Sequence, residues 1–219
     1  MKKIVIIGTG AVASELTSYI EDNNKNVDSQ SQIDLLGYID YEYNIEKYWK
    51  KYQLQKAVLG DIDNYNFEKE VEVLIGISDI KFRNEIICIL ENKGVTFFQF
   101  IHHSAIIPDT IKIGKGNIIY PFCIIGPNTQ IGDFNMITSY GCISHDCIIG
   151  DRNIFSTTII AGRITIGNDN FFGIRSTVIP HVVIGNENLI QAGMVVDKSI
   201  KDNTTVFYRY KESIIAIPK

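Results

Sequence analysis

The feature that most constrains this chain is an apolar period of six. From Ile107 onward apolar residues return at 113, 119, 125, 131, 137, 143 and 149. The next step, from Ile149 to Ile166, is 17 residues rather than 18, after which the phase resumes at 172, 178, 184, 190 and 196. A helix repeats near 3.6 residues and a strand near two. Six fits short strands joined by tight turns, three to a coil of about 18 residues, stacked at roughly 4.8 Å as a β-solenoid. The array predicts about five coils, with one residue missing from a turn near Asp151–Gly162. Two positions before the apolar residues, small or polar side chains recur (Ala105, Asn117, Cys123, Thr129, Asn135, Gly141, Cys147, Asn170, Ser176), as expected where a coil turns a corner. Flat apolar sides on such a prism favour self-association, most simply as a homotrimer.

The residues before the array read differently. Lys3–Ile7 is a short β-branched run that predicts a buried parallel strand. GTGAVA at 8–13 follows and opens a helical pattern through Ile20. In that context Gly8 allows a tight turn, Gly10 lets a ligand approach the backbone, and the helix N-terminus favours a phosphate. The plain alternative is a strand–helix turn whose glycines only ease packing. Further strands are expected at Leu35–Ile39, Val71–Ile77 and Thr96–Ile101, with a helix over Lys81–Asn92. Asp40 ends the second strand, placed to accept from a ribose or base, or to serve as a turn or cap residue. Strand and helix alternate, so a small open α/β sheet is expected, with ligand contacts at the strand C-termini. It is expected to cap one end of the prism. Residues 41–57 show no clear period and predict a surface excursion with at most a helical turn.

Composition excludes several classes. The 219 residues are 45% apolar and 21% charged with net charge −4, which disfavours a nucleic-acid polymer or an anionic membrane as the main partner. No apolar run reaches the roughly 18 residues of a membrane span. The glycines at 8 and 10 break up the apolar N-terminus too early for a signal peptide. Cys88, Cys123, Cys142 and Cys147 lack CxxC spacing, which predicts reduced thiols in a cytoplasmic protein.

Inside the array lies one ionisable pair, His145-Asp146, and it is the candidate chemical centre. Histidine suits a base working near neutral pH, and an adjacent carboxylate can orient it. His102, His103 and His181 are expected as solvated loop residues, and no metal-ligand set is expected from their spacing. Arg83, on the helix after Ser78-Asp79, reads equally as a phosphate ligand or a surface charge.

Taken together, the repeat, the His145-Asp146 pair and FFGIRSTVIP at 171–180 resemble the bacterial nucleotide-sugar N-acetyltransferases. GTGAVA at 8–13 and GYID at 37–40 resemble their nucleotide-sugar-binding domain. The resemblance implies a Rossmann-like α/β domain over 1–103, a left-handed parallel β-helix of hexapeptide repeats over 104–200, and a C-terminal extension over 201–219. It also implies acetyl transfer from acetyl-CoA, without a metal, to the 4-amino group of a UDP- or dTDP-linked 4-amino-4,6-dideoxy sugar. By the same resemblance His145 is the catalytic histidine and Asp146 its acidic partner. Gly162, Gly173, Ile174 and Asn153 are assigned to acetyl-CoA, in a groove between subunits of a trimer. Gly8, Gly10, Ala11, Asp40, Gly76, Ser78 and Thr138 are assigned to the nucleotide sugar. The sequence departs from the family at Thr138, where many relatives carry asparagine, and at Asn153, where they often carry a second histidine. It departs again at Phe207-Tyr208-Arg209-Tyr210-Lys211, where they carry a Gly-x-Pro-Ala-Lys tail. A sialic-acid-type sugar O-acetyltransferase, a non-catalytic nucleotide-sugar-binding scaffold and a nicotinamide-dependent oxidoreductase remain as alternatives.

Overall fold

The computed structural model describes residues 1–52, 54 and 56–208. The Arg209-Tyr210-Lys211 part of the tail lies outside the described residues. Among those described, no helix is long and apolar enough to cross a membrane.

Strands Lys2–Ile7 (β1), Ile33–Ile39 (β2), Val58–Gly60 (β3) and Val71–Ile75 (β4) form one parallel sheet in the order β3-β2-β1-β4. Alternation along β1 divides its side chains between the two helical layers. Ile4 and Ile6 join Ala13, Leu16 and Ile20 of helix α1 (Ala11–Asn26). Helix α2 (Glu42–Tyr52) follows β2, and helix α3 (Ile80–Asn92) follows β4. Val5 and Ile7 pack with Ile86, Ile87 and Leu90 of α3. Helix α2 corrects the single helical turn expected for residues 41–57; it stays at the surface, and none of its described side chains is buried. Ile45, Tyr48 and Tyr52 recur at helical spacing, a signal masked by the charged residues between them.

The strand expected over Thr96–Ile101 is divided between two sheets. Phe97 bridges Val73 at the edge of the α/β sheet, while Phe100–Ile101 (β5) already pairs with Ile118–Ile119 in the prism.

The prism has three parallel faces. The first holds seven strands, from β5 through Ile118–Ile119, Met136–Ile137, Ile154–Phe155, Phe171–Phe172 and Leu189–Ile190 to Thr205–Val206. The second and third hold five each. The six-residue phase is the interior: Ile119, Ile125, Ile137, Ile143, Phe172, Val178, Ile190 and their equivalents are buried. Strands begin six residues apart at 136, 142, 148 and 154, then five apart at 154 and 159, so the missing residue falls in the turn Ser156–Thr158. Corners carry residues in the left-handed region, among them Tyr140, Asp146, Arg152 and Thr157. At the corner between third and first faces, Asn117, Asn135, Asn153, Asn170 and Asn188 stack, each Oδ1 accepting the backbone N–H of the next at 2.9 Å.

The α/β domain lies along the first face rather than over an end of the prism. Outward residues Ile118, Met136 and Ile154 are apolar and buried with α1 residues in one cluster. Arg83, expected at a phosphate or the surface, is fully buried at this contact, its Nη1 donating to Phe134 O at 2.7 Å. Burial lowers its pKa to about 10, since desolvation disfavours the cation. The second face remains open, with Ile106, Ile124, Ile159 and Val195 exposed in a row.

Candidate functional site

His145 and Asp146 occupy the corner between strands Cys142–Ile143 and Ile148–Ile149. Asp146 sits at φ 59°, which turns the chain sharply and brings its side chain beside its neighbour's. His145 Nδ1 lies 2.7 Å from Asp146 Oδ2. The other oxygen, Oδ1, accepts from Asn128 Nδ2 at 3.3 Å. The His145 hydrogen bond, and after it that of Asn128, holds the Asp146 carboxyl below its ordinary range. An ionised carboxylate can only accept, so the proton of the neutral imidazole is assigned to Nδ1 and the lone pair to Nε2. Nε2 has no hydrogen-bond partner among the described residues, and the ring is half-exposed.

Gly162, one coil along at the same corner, lies against that ring. A Cβ there would stand 2.8 Å from His145 Nε2 and 2.9 Å from Cε1. The two coils are tied by Arg163 N–H donating to His145 O at 3.0 Å. Among the described residues the Gly162 N–H meets no acceptor. An open acceptor and an open donor therefore share one corner.

The other prism assignments fall elsewhere. Thr138, Gly173 and Ile174 lie at the corner between first and second faces, so one chain does not bring them to His145. Thr138 Oγ1 accepts from Thr157 N at 2.9 Å, bracing the short turn. Gly173 N–H is engaged with Ile190 O at 2.8 Å, whereas the Ile174 side chain is exposed. Asn153 is a correction. It is wholly buried in the asparagine stack, donating to Asn135 Oδ1 at 3.0 Å and Gly167 O at 2.9 Å and accepting from Asn170. Its side chain is committed to the prism, not to an acyl group.

At the strand C-termini of the sheet, a cavity of about 290 Å³ brings together Gly8, Gly10, Ala11, Asp40, Gly76 and Ser78. Gly8 has φ 111°, and a Cβ there would meet Gly76 O at 2.8 Å, so its glycine serves the turn. Gly10 would meet nothing within 4 Å. Packing does not require a glycine at 10, which favours the ligand reading of that position. Gly10 also caps α1 without a side-chain bond, leaving the first-turn amides of α1 facing outward from the helix end.

Asp40 is held locally, as a turn or cap residue would be. Oδ2 accepts from Thr9 N and Oγ1, both at 2.8 Å, and Oδ1 from Tyr41 N at 2.8 Å and Asn44 Nδ2 at 2.9 Å. All four acceptor positions of a carboxylate are thereby filled. Asp40 ties the glycine loop to α2 instead of reaching for a ribose. Helix α2, to which the sequence analysis assigns no function, contributes Asn44, Tyr48 and Tyr52 to the cavity wall. A second cavity, about 640 Å³, adjoins it through Ser78 and Asp79 and runs to Asp169 and Asn188 on the prism.

One histidine departs from expectation, while His103 and His181 are exposed as expected. His102 is buried, and it stands with His103 and Asp22 of α1 rather than in solvent. Desolvation, with the neighbouring His103, lowers its pKa. His181 is an exposed corner residue at φ 66°.

No protein-family model and no curated protein sequence matches the chain. Solved structures do. PerB from Caulobacter crescentus, in complex with CoA and GDP-perosamine, is 21% identical over 93% of this chain and 92% of its own, with a TM-score of 0.74. The acetyltransferase domain of PglB from Neisseria gonorrhoeae FA1090 is 15% identical over 94% of this chain and 96% of its own, at 0.78. WeeI from Acinetobacter baumannii AYE is 22% identical over 92% and 94%, at 0.75. The likeness shows the fold: a small parallel α/β sheet leading into a left-handed parallel β-helix.

Proposed function

We propose that this chain is an acetyl-CoA-dependent N-acetyltransferase acting on a nucleotide-linked amino sugar. One observation carries the reading. His145 is oriented by Asp146 through Nδ1, presents Nε2 unpartnered among the described residues, and lies against Gly162, whose N–H is likewise unpartnered there. In support, chains of the same fold hold CoA with GDP-perosamine in one case and acetyl coenzyme A in another.

In this mechanism the sugar amine attacks the thioester carbonyl, and its proton passes to His145 Nε2 as the C–N bond forms. Asp146 keeps the imidazole in position and stabilises its cation. The Gly162 N–H faces the oxygen that becomes an oxyanion. The C–S bond then breaks, and the CoA thiolate leaves with the proton that His145 returns. Holding both substrates in line contributes more than the base alone.

Complete sites are proposed to form between chains of a homotrimer. Ile106, Ile124, Ile159 and Val195 offer an apolar face for association. Only a neighbouring copy brings the Thr138 and Ile174 corner to His145. The nucleotide is taken up by the cavity at Gly8, Gly10 and Ser78, and the acceptor is a 4-amino-4,6-dideoxy sugar on UDP or dTDP. Free cysteines and the use of acetyl-CoA support a cytoplasmic setting.

The test is CoA thiol release from acetyl-CoA across UDP-, dTDP- and GDP-linked amino sugars and their hydroxy counterparts. Release with an amino sugar and not with its hydroxy counterpart supports N-acetylation. Release only with hydroxy sugars gives the O-acetyltransferase, and none with any member removes the reading.

A further inference from the structure

The junction between α1 and the first coil of the prism holds a cluster that acetyl transfer does not use. Asp22 comes from the last turns of α1, and His102 and His103 follow β5 directly. Asp22 Oδ2 lies 3.2 Å from His102 Nε2 and 3.3 Å from His103 Nε2. The three atoms all fall within 4.8 Å of one another. His102 is 2% exposed, yet its Nε2 makes no hydrogen bond, because Asp22 Oδ2 approaches at the right distance in the wrong direction. A buried ring nitrogen left unsatisfied in this way needs a physical reason.

We propose that Asp22 Oδ2, His102 Nε2 and His103 Nε2 form a site for one divalent transition-metal ion of the zinc class. Tetrahedral coordination with bonds of 2.0–2.1 Å sets neighbouring ligand atoms about 3.3 Å apart. Two of the three separations already match that edge. Two imidazoles and a carboxylate are a donor set suited to zinc, with a fourth position for water. The surroundings fit as well. His102 Nδ1 lies 2.8 Å from Ser104 Oγ and accepts from Ser104 N–H at 3.3 Å, so the metal-free ring carries its proton on Nε2. Binding an ion there requires that proton to move to Nδ1, where Ser104 Oγ can accept it. The His103 backbone is fixed by its N–H donating to Asn23 Oδ1 at 2.8 Å, beside Asp22.

Such an ion would staple α1 to the prism. It would hold the nucleotide-binding cavity at the other end of α1 in a fixed relation to the β-helix. None of its residues lines the cavity at Gly10 or the corner at His145 of the same chain, and metal binding is read without turnover.

The experiment is a Co²⁺ titration of the untagged full chain followed by visible absorption, with Zn²⁺ competition. The expected result is one Co²⁺ per chain with the d–d bands of four-coordinate cobalt, no thiolate charge-transfer band, and displacement by Zn²⁺. Asp22→Asn and His103→Ala change solvent-facing side chains, so the fold survives, and each should weaken Co²⁺ binding about a hundredfold or more. In the wild type alone, Zn²⁺ should raise the melting temperature and a chelator reverse it. Absence of four-coordinate bands in the wild type would overturn the site. So would bands that persist unchanged in both variants, and a hydrogen-bonded triad without metal would give the first of these outcomes.

Discussion

The imidazole of His145 and the backbone of Gly162 are in contact: a Cβ at 162 would come within 2.8 Å of Nε2. Gly162→Ala should therefore swing a half-exposed ring aside rather than disturb the prism core. The expected outcome is unchanged circular dichroism, a melting temperature near that of the wild type, and turnover reduced about a hundredfold through loss of position. Turnover near wild type would show that the contact has no part in the reaction.

The His145–Asp146 pair sets a pH prediction. The His145 hydrogen bond is the largest cause of the lowered Asp146 pKa, and the Asn128 bond comes second. In His145→Ala the Asp146 carboxyl should titrate closer to its ordinary value, with part of the depression retained. Carbon-13 NMR of the labelled carboxyl would read this directly. Because the folded-state pKa is the depressed one, the pair stabilises the fold above the ordinary carboxylate range. That contribution is lost as pH falls through the depressed value. Both groups are solvent-exposed, so melting temperature should respond only weakly.

Gly8 and Gly10 should separate when each is changed to alanine. At Gly8 the positive φ and the Gly76 carbonyl oppose any side chain, and a loss of about 1–3 kcal/mol is expected by denaturant unfolding. At Gly10 nothing stands in the way, so the cost is the weaker helix cap, roughly 0.5–1 kcal/mol. The Gly10 variant should instead lose nucleotide-sugar affinity, measured by calorimetry. Equal affinity in that variant would leave Gly10 as a helix-cap residue with no part in binding.

Asn153→Ala tests the correction at the asparagine stack. The substitution strips partners from Gly167 O and the amides of Asn170. A destabilisation of roughly 2–4 kcal/mol is expected, with specific activity per folded molecule unchanged. A selective loss of turnover would return Asn153 to the acyl site.

What could be read from the chain alone follows from how local each determinant is. The prism was legible because every inward residue answers to its equivalent one coil away, so a single period describes the interior, and even the short step registered as a missing residue. His145-Asp146 was legible because the partners are adjacent. Asp40 and Arg83 were not, since their surroundings come from elsewhere. Thr9 and Asn44 fill the Asp40 oxygens, and Phe134, far along the chain, receives Arg83. Helix α2 was obscured because its apolar residues alternate with charge. The pairing of Asp22 with His102 and His103 depends on where α1 docks, which no pattern within either segment reveals. Thr138, Gly173 and Ile174 could be assigned by likeness but not by contact, because a single chain keeps them one face away from the histidine.

The most direct measurement is the rate of CoA release by His145→Ala with saturating acetyl-CoA and the preferred amino sugar, alongside its nucleotide-sugar dissociation constant. The account predicts a rate lower by about a hundredfold or more with the dissociation constant unchanged. A variant that turns over at the wild-type rate would contradict it.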